Sequence, residues 1–428
     1  MTSTKRIRLR SPGPYLFADI LQCLSSFVLN SQTRLVCKEW KLHFNIPILY
    51  FTHKKVSYSR LLTHALNICQ SVKILIPWSE GYDMLFKLLT DRLKSNITIR
   101  SLDISGSNID DTRIRILSDI IKYNKVVTSI ILSHNQICDW GVKALAEALE
   151  NNSTLTCLDL GYNKITDIGI ETLSGSLTGN RTLTHLRLHR NPITHLCITS
   201  IVVIPTLTYL DLTFTNLGND GLVILSKALQ TNTTITDLNL CSIGWIMASG
   251  ILALSTMLKL NSTLESLRLS KIVINSDDSL LPLTESLKLN RALKHLNLVD
   301  NFSIGNAEAA LIADMLTKNS TLSILNLSGN NIKNIGISSL ANALKSSNST
   351  LHTLKLGFNP FDCTGAISLV EMLKTNTSIT QLDLNCNNIS RRGFEGMVEV
   401  FETHRTPRAL NLRNCTHSQH NYDDLLKG

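Results

Sequence analysis

The sequence predicts an α/β solenoid, in which short parallel strands on one side alternate with helices on the other. The pattern L-x-x-L-x-L-x-x-N-x-I recurs along the chain, at intervals of 28 or 29 residues apart from one interval of 24. A fixed period of this length is typical of stacked repeats. The first residue of the pattern falls at Ile99, Val127, Leu155, Leu183, Leu207, Ile235, Leu264, Leu293, Leu322, Leu351, Ile379 and Pro407.

Each repeat has a strand half and a helix half. The L-x-L centre alternates apolar and polar residues, which predicts a short strand. The remainder has helical spacing, as at Val142, Leu145, Ala146 and Leu149, which form one apolar stripe. Parallel strands stack about 4.8 Å apart, whereas helices need roughly 8–10 Å between their axes. We therefore expect the array to bend into a horseshoe, with a concave parallel sheet and convex helices.

Asparagine and glycine mark the turns of the repeat. The asparagine of the pattern is expected to satisfy backbone groups of the turn, with Ser107, Thr215 and Cys415 as partial substitutes. Ile243 and Ile272 hold this position in two repeats and cannot do so, which predicts local irregularity there. Glycine often follows six residues after the asparagine, where the chain must pass close to its neighbour. These glycines are Gly141, Gly169, Gly221, Gly336, Gly365 and Gly393.

Three further features follow from the repeat. The repeat from Leu183 to Leu207 is four residues short and contains Pro205, which predicts little or no helix. Asn-x-Ser/Thr sequons recur because the loop after each helix recurs, so the repeat accounts for them without glycosylation. A more divergent repeat is expected near Ser71, with Ile74 and Ile76 on its strand.

These residues resemble the leucine-rich repeat family, in particular its class of 28–29-residue repeats. Ribonuclease inhibitor, the Ran GTPase-activating proteins and the repeat domains of NOD-like receptors belong to that class. The resemblance covers residues 95–416, in about twelve repeats. It implies a binding scaffold whose concave sheet holds a protein ligand.

The residues before the repeats have a different pattern. Residues 1–12 form a basic tail, 13–50 a predicted helical head, 51–94 a divergent cap with a first repeat, and 417–428 a C-terminal tail. The segment RLVCKEW in the head resembles the end of an F-box motif, which implies docking onto a Skp-type adaptor of a cullin ubiquitin ligase. The alternative is a helical cap over the first repeat. Candidate contact residues are Pro14, Leu16, Phe17, Ile20, Leu21, Val36 and Trp40.

Charge and hydropathy exclude several classes of partner. The first 60 residues hold ten Lys/Arg and two Asp/Glu, whereas the other 368 residues hold 32 Lys/Arg and 31 Asp/Glu. The repeats are therefore predicted to have no basic stripe for nucleic acid. No run of 18 apolar residues and no signal peptide is present, which predicts a cytoplasmic protein without a membrane partner. A nuclear signal at residues 5–10 remains an alternative. The ten cysteines lack zinc-ligand spacing and are predicted to be reduced thiols.

The candidate binding site is the concave face. Residues two, four and six positions after the start of each pattern should point away from the core. Asp159, Arg187 and Asp211 fall on successive strands, within expected ion-pair reach, among Tyr and His residues typical of interaction surfaces. The alternative is a solvated sheet with incidental salt bridges. The candidates are Asp159, Tyr162, His185, Arg187, His189, Arg190, Tyr209, Asp211, Phe214 and Arg268.

Motifs for chemistry are not found in the sequence. It contains no P-loop, no G-x-S-x-G, no H-E-x-x-H and no EF-hand loop, so we predict no catalytic residue, cofactor or metal ligand. The predicted function is a non-enzymatic scaffold that brings a target protein to a ubiquitin ligase. Two alternatives stay open: a Ran-type GTPase-activating protein, and an intracellular sensor or scaffold like the repeat half of NOD-like receptors.

Overall fold

Short parallel strands alternate with helices throughout the described part of the chain, as the sequence predicts. The computed structural model describes residues 48–50, 70–75, 83–274, 280–346, 350–403 and 407–415. The chain divides into two compact units. Among the described residues, the first unit extends to Ile193 and includes Val203–Leu207, and the second comprises Thr194–Val202 and the residues from Thr208 onward. Each unit has the α/β solenoid architecture.

The first unit contains a parallel sheet whose strands follow chain order, with one helix after each of the strands β2 to β5. Its first strand falls within the range assigned to the head from sequence, which predicted no strand there. The strands are β1 Ile48–Tyr50, β2 Ser71–Leu75, β3 Ser101–Asp103, β4 Ser129–Ile131, β5 Cys157–Asp159 and β6 His185–Arg187. The helices are α1 Asp83–Leu93, α2 Asp111–Tyr123, α3 Asp139–Asn151 and α4 Asp167–Leu177.

The second unit includes the segment Thr194–Val202 of the short repeat, whose helix α5 has only five residues, Ile198–Val202, as the sequence predicts. Its main sheet is also parallel and in chain order. The strands are β7 Tyr209–Asp211, β8 Asp237–Asn239, β9 Trp245–Ile246, β10 Ser266–Arg268, β11 Val273–Ile274, β12 His295–Asn297, β13 Ile324–Asn326, β14 Thr353–Lys355, β15 Gln381–Asp383 and β16 Ala409–Asn411. The helices are α6 Gly218–Leu229, α7 Ala248–Leu260, α8 Leu281–Leu289, α9 Asn306–Lys318, α10 Asn334–Ser346, α11 Cys363–Leu373 and α12 Arg391–Thr403.

The core is built from the leucines of the pattern, which stack in register. Leu158, at the centre of β5, pairs with Ile130 on β4 and Leu186 on β6. The same register joins Leu325 to Leu296 and Leu354 in the second unit. These side chains are fully buried against the helices. Burial stabilises each by about 1.5–3 kcal/mol, and a repeat can bury them only between two neighbours.

The asparagine of the pattern forms a buried ladder between repeats, which confirms the role predicted from sequence. Asn163 donates from Nδ2 to the carbonyls of Leu132 (3.1 Å) and Leu160 (2.9 Å), and its Oδ1 accepts the N–H of Ile137 (3.0 Å). Each amide therefore satisfies turn groups of its own repeat and of the one before. Ser107, Thr215 and Cys415 donate to carbonyls from the same position.

A second asparagine ladder closes the other end of the helices. Asn180 follows α4, donates to the carbonyl of Leu149 at the end of α3 (2.9 Å) and accepts the N–H of Leu183 (2.8 Å). Only 2% of Asn180 is exposed. Six sequon asparagines have this buried position, so the architecture accounts for the sequons, as predicted. They are Asn96, Asn152, Asn180, Asn261, Asn319 and Asn376.

The repeated glycine leaves room for a third set of hydrogen bonds between neighbouring repeats, at the start of the helices. Asp139, the first residue of α3, accepts the N–H (2.8 Å) and the hydroxyl (2.6 Å) of Thr166 in the next repeat. A Cβ at Gly169 would overlap the carboxylate of Asp139. Asn306 and Gly336 repeat the arrangement in the second unit. This close approach confirms the sequence prediction.

Two repeats depart from the regular turn, as predicted for those with isoleucine in place of asparagine. After Ile243 and Ile272 the chain forms β9 and β11, which pair in parallel as a separate two-stranded ribbon. The divergent repeat near Ser71 forms β2, in which Ile74 is buried, whereas Ile76 lies outside the described residues. None of the helices in the described ranges is both long and apolar enough to cross a bilayer.

The first prediction concerns the pattern asparagine. Asn330→Ala removes the bonds donated to the carbonyls of Leu298, Leu327 and, at the longest distance, Ser328. It also removes the acceptor for the N–H of Asn301. Since the backbone groups stay buried and unpaired, we expect the free energy of unfolding to fall by about 2–4 kcal/mol. Urea denaturation followed by circular dichroism measures it. The neighbouring exposed Asn331, replaced by alanine, is the matched control and should change little; equal losses would contradict the ladder.

A second prediction compares two glycines of α4. Gly169→Ala should destabilise the protein by about 1–3 kcal/mol, because the new Cβ displaces Asp139 from its bonds to Thr166. Gly175→Ala, where a Cβ meets nothing within 4 Å, should stabilise it by about 0.5–1 kcal/mol. Thermal melts of both variants test the pair. Equal shifts at the two positions would refute the account of the glycine.

Candidate functional site

In the strands β3 to β8, the first and third residues flank a buried central residue and point away from the core, as the alternation predicts. His185, Leu186 and Arg187 of β6 are exposed, buried and half-buried in turn. We call the side of the sheet that carries such residues the outward face. Because three residues per strand are enough to fix the core leucine, the flanking positions can vary in chemistry without changing the fold.

A column of residues with left-handed backbone follows the strands. The residue before the pattern asparagine has a positive φ in every one of the twelve repeats, for example 58° at His134 and 55° at Tyr162. This conformation favours glycine, and Gly106 and Gly329 occupy it in two repeats. The other members are His134, Tyr162, Arg190, Phe214, Ser242, Lys271, Asp300, Phe358, Cys386 and Asn414.

Three members of this column stack on one another in the first unit. The rings of His134 and Tyr162 lie 4.1 Å apart and nearly parallel, at 19°. The guanidinium of Arg190 lies 5.6 Å from the centre of the Tyr162 ring, within the range of a cation–π contact. Tyr162 nevertheless remains 46% exposed. We call His134, Tyr162 and Arg190 the ridge. The sequence prediction did not include His134, although its position directly before the pattern asparagine, Asn135, could have identified it.

His189 lies beside the ridge, flat over Gly161. A Cβ at Gly161 would overlap the imidazole, so only glycine admits this placement. The Nδ1 atom of His189 is buried, has no hydrogen-bond partner among the described residues and lies 4.0 Å from the carboxylate of Asp159. On the adjoining strands, Arg187 approaches the Sγ of Cys157 at 3.4 Å, and His185 is within 2.9 Å of the Thr184 hydroxyl.

The two carboxylates predicted as binding residues, Asp159 and Asp211, accept backbone hydrogen bonds at the ends of their strands. Asp159 accepts the N–H of Gly161 (2.9 Å), and Asp211 accepts the N–H (2.9 Å) and hydroxyl (2.5 Å) of Thr213. Each is 8% exposed. Asparagine does the same in the second unit, where Asn239, Asn297 and Asn326 accept the N–H two residues on. Strand termination therefore accounts for a short acceptor at these positions.

The remaining candidates lie in the second unit. Arg268 on β10 makes a bidentate pair with Asp237 on β8, at 2.7 and 3.2 Å, and its guanidinium lies 6.0 Å from the ring of Tyr209 on β7. Phe214, in the left-handed column, is 42% exposed. The structure thus brings six of the ten predicted residues together in the first unit and four in the second. Their role in binding stays a prediction.

The predicted adaptor contacts lie outside the described residues. Pro14, Leu16, Phe17, Ile20, Leu21, Val36 and Trp40 all precede Ile48, where the description begins.

Two described cysteines are poor candidates for nucleophiles. Burial, and then the carboxylate of Asp111, raises the pKa of the Cys138 thiol, and burial raises the pKa of Cys415. A thiol with a raised pKa is mostly protonated near neutral pH and reacts slowly. In the described ranges, no three His, Cys, Asp or Glu side chains cluster as metal ligands would.

Comparisons with known proteins agree with this architecture. The family model described as "Leucine Rich repeat" matches residues 95–112, 123–146, 151–174, 203–226, 318–341, 347–370 and 375–397. The chain therefore carries leucine-rich repeats. No curated protein matches it by sequence.

Solved structures with a similar arrangement include three repeat proteins. Rad7, solved with Elc1 from yeast, is 14% identical over 94% of this chain and 98% of its own, with a TM-score of 0.47. An internalin of Listeria monocytogenes is 19% identical to this chain, and the match covers 78% of this chain and 88% of the internalin, with a TM-score of 0.42. The actin-binding site 2 of leiomodin-1 is 24% identical to this chain, and the match covers 38% of this chain and 80% of the leiomodin chain, with a TM-score of 0.28.

A third prediction separates the structural role of Asp159 from its charge. Asp159→Asn keeps an oxygen that can accept the N–H of Gly161, as Asn239 does in its own repeat, and should leave stability nearly unchanged. Asp159→Ala leaves that buried N–H unpaired and should cost about 1–3 kcal/mol. Urea denaturation of the two variants distinguishes them. A large loss in the asparagine variant would show that the charge itself is needed.

Proposed function

We propose that the chain is the substrate-recognition subunit of a cullin-type ubiquitin ligase. In this proposal the head, residues 13–50, binds a Skp-type adaptor, and the outward face binds the protein to be modified. The leucine-rich repeats are a scaffold suited to protein–protein interaction, and they contribute no chemistry of their own. The chain then serves to hold two partners on one polypeptide.

The observation that carries target binding is the ridge. Its three side chains are exposed, yet each is held by stacking on its neighbour. Their backbone is also fixed, because the N–H of His134 donates to the carbonyl of Gly161 (3.0 Å) and that of Tyr162 to His189 (2.6 Å). Exposed aromatic and arginine side chains that are already ordered lose little entropy on binding, which favours affinity.

The surroundings of the ridge also favour a protein partner. Arg187 and His185 on β6 add polar side chains beside an aromatic centre. An aromatic centre with a polar margin is the usual composition of a protein interface. The strands are short and the face is open, so the partner meets a surface that requires no closing motion.

The ligase role is supported by the head sequence. The segment from Arg34 to Trp40 resembles the end of an F-box. It precedes Ile99, where the regular repeats begin, by about the length of two repeats. Leu16 and Phe17 supply apolar side chains where the resemblance implies adaptor contact. Adaptor binding and target binding are thereby assigned to separate segments of the chain.

A fourth prediction tests the head. Full-length protein should recover a purified Skp-type adaptor in a pull-down, and Leu16→Ala together with Trp40→Ala should reduce recovery at least about tenfold, because buried aromatic anchors dominate interfaces. Trp140→Ala is the matched control, since Trp140 is an exposed tryptophan on α3. The control should bind as the unaltered chain does.

Two outcomes would overturn the ligase role. One is failure of the intact chain to recover the adaptor at any concentration. The other is stimulation of GTP hydrolysis by Ran, measured in parallel, which would favour the GTPase-activating alternative. Circular dichroism of the double variant checks that the repeats, which lie outside the head, remain folded.

A further inference from the structure

A groove of about 340 Å³ crosses the outward face at β14, β15 and β16, in the second unit. Outward side chains of the three strands form its walls. On one wall the Thr353 hydroxyl donates to the Oε1 atom of Gln381 (3.0 Å). Ala409 holds the position on β16 that is in register with Gln381. Because alanine is small, the wall is lowest at this strand.

The groove carries more positive than negative charge. Lys355 on β14 and Arg408 before β16 line it, and neither makes an ion pair with any residue that the structure describes. Asp383 lies beside Lys355 in register, and its carboxylate accepts the N–H of Asn385 (3.1 Å). The described lining therefore has two cations and one acid, and a backbone hydrogen bond already uses that acid.

The groove also has an apolar end that is incompletely covered. Phe401 on α12 and Leu410 on β16 line it, and both are half-buried. Their equivalents one repeat earlier, Leu373 and Leu382, are each only 1% exposed, because the next repeat covers them. Within the described ranges, no later repeat covers Phe401 and Leu410. A ligand that fits this groove therefore combines carboxylates with apolar side chains.

The C-terminal tail, residues 417–428, has the matching chemistry and lies outside the described residues. Two adjacent acids, Asp423 and Asp424, correspond to the two cations of the groove. Apolar side chains flank these acids and one base follows them; these residues are Tyr422, Leu425, Leu426 and Lys427. The segment thus offers two acids and one base to a groove that has two bases and one acid.

The tail is long enough to reach the groove. Ala409 is six residues before Cys415, so at most about 22 Å separates the two. Tyr422 is seven residues after Cys415, and an extended chain of that length spans up to about 25 Å. Because the tail is tethered to β16, its effective concentration at the groove is on the order of millimolar, and modest contacts suffice for occupancy.

We propose that residues 422–426 of the tail occupy this groove as an intramolecular ligand. Their two acids face Lys355 and Arg408, and their apolar side chains cover Phe401 and Leu410. The occupied groove includes outward positions of β14, β15 and β16, so an external partner that reaches these strands must first displace the tail. This contact needs neither the head nor the ridge, so it is independent of the ligase role.

Two other arrangements would place the same segment elsewhere. A second copy of the chain would supply it from outside, which makes the contact intermolecular. Tyr422, Leu425 and Leu426 are also spaced as one helical stripe, which would instead pack on the side of α12 that carries the half-buried Val398. In that arrangement the charge at Lys355 would not matter, because Lys355 lies on the outward face.

Photo-cross-linking of the full-length chain tests the proposal. The photoreactive amino acid p-benzoylphenylalanine replaces Tyr422, and the irradiated products are separated on a denaturing gel and mapped by mass spectrometry after proteolysis. We expect a product of monomer size in which residue 422 is joined to Phe401 or to Ala409–Asn411. Its yield should not change with protein concentration, because the contact is intramolecular.

Charge reversal identifies the residues in contact. Lys355→Glu together with Arg408→Glu should lower the cross-link yield at least about threefold, because acids then face acids. Adding Asp423→Lys and Asp424→Lys to that variant should restore the yield to within about twofold of the unaltered chain. Restoration requires that the two pairs of residues meet, which a general loss of stability cannot imitate.

The matched control is Lys164→Glu together with Lys333→Glu, since both lysines are exposed in the loops before α4 and α10 and do not line the groove. Its yield should equal that of the unaltered chain. Three results would overturn the inference: a product of dimer size, no cross-link to Phe401 or β16, or no restoration by the added lysines. Thermal melts confirm that each variant is folded. Failure of the adaptor pull-down would reject the ligase role and leave these results unaffected.

Discussion

The structure depends on one constraint: a turn that follows a three-residue strand leaves backbone groups that the repeat itself cannot pair. The buried asparagine meets this need by bonding to carbonyls of two successive repeats, as Asn163 does with Leu132 and Leu160. Leaving such groups buried and unpaired would cost about 1–3 kcal/mol each, comparable to the burial of one leucine. Leucine burial therefore drives the stacking, while the amides fix its register.

Because the side chains that stabilise the stacking point inward or sideways, the outward face is available for binding. Core leucines, asparagine amides and the helix-start carboxylates use side chains that point inward or sideways, as Asp139 and Gly169 illustrate. The positions that point outward carry His185 in one repeat and Ser129 in another on the same backbone. The left-handed residue adds one more variable position per repeat, and in the first unit it carries the ridge. Binding chemistry can thus change from repeat to repeat without loss of the fold.

The sequence predicted the repeat, the strands, the asparagine ladder and the short helix α5, because each depends on spacing within one repeat. It anticipated irregularity at Ile243 and Ile272 but not the β9–β11 ribbon that results. It missed the left-handed column and the strand-end role of Asp159, since both depend on which N–H groups a neighbour leaves unpaired. The stacking of His134 on Tyr162 was also missed, because the two residues are a whole repeat apart.

We propose that protein partners bind on the outward face of the repeats. Hydroxyl-radical footprinting of the chain, alone and with a captured target, tests it most directly, because exposed aromatic residues mark both sides of the first unit. Oxidation of Tyr162 should fall when the target binds, while that of Tyr123 and Trp140, which are 72% and 76% exposed on the helices, should not change. Protection of Tyr123 and Trp140 with Tyr162 unaffected would contradict the account.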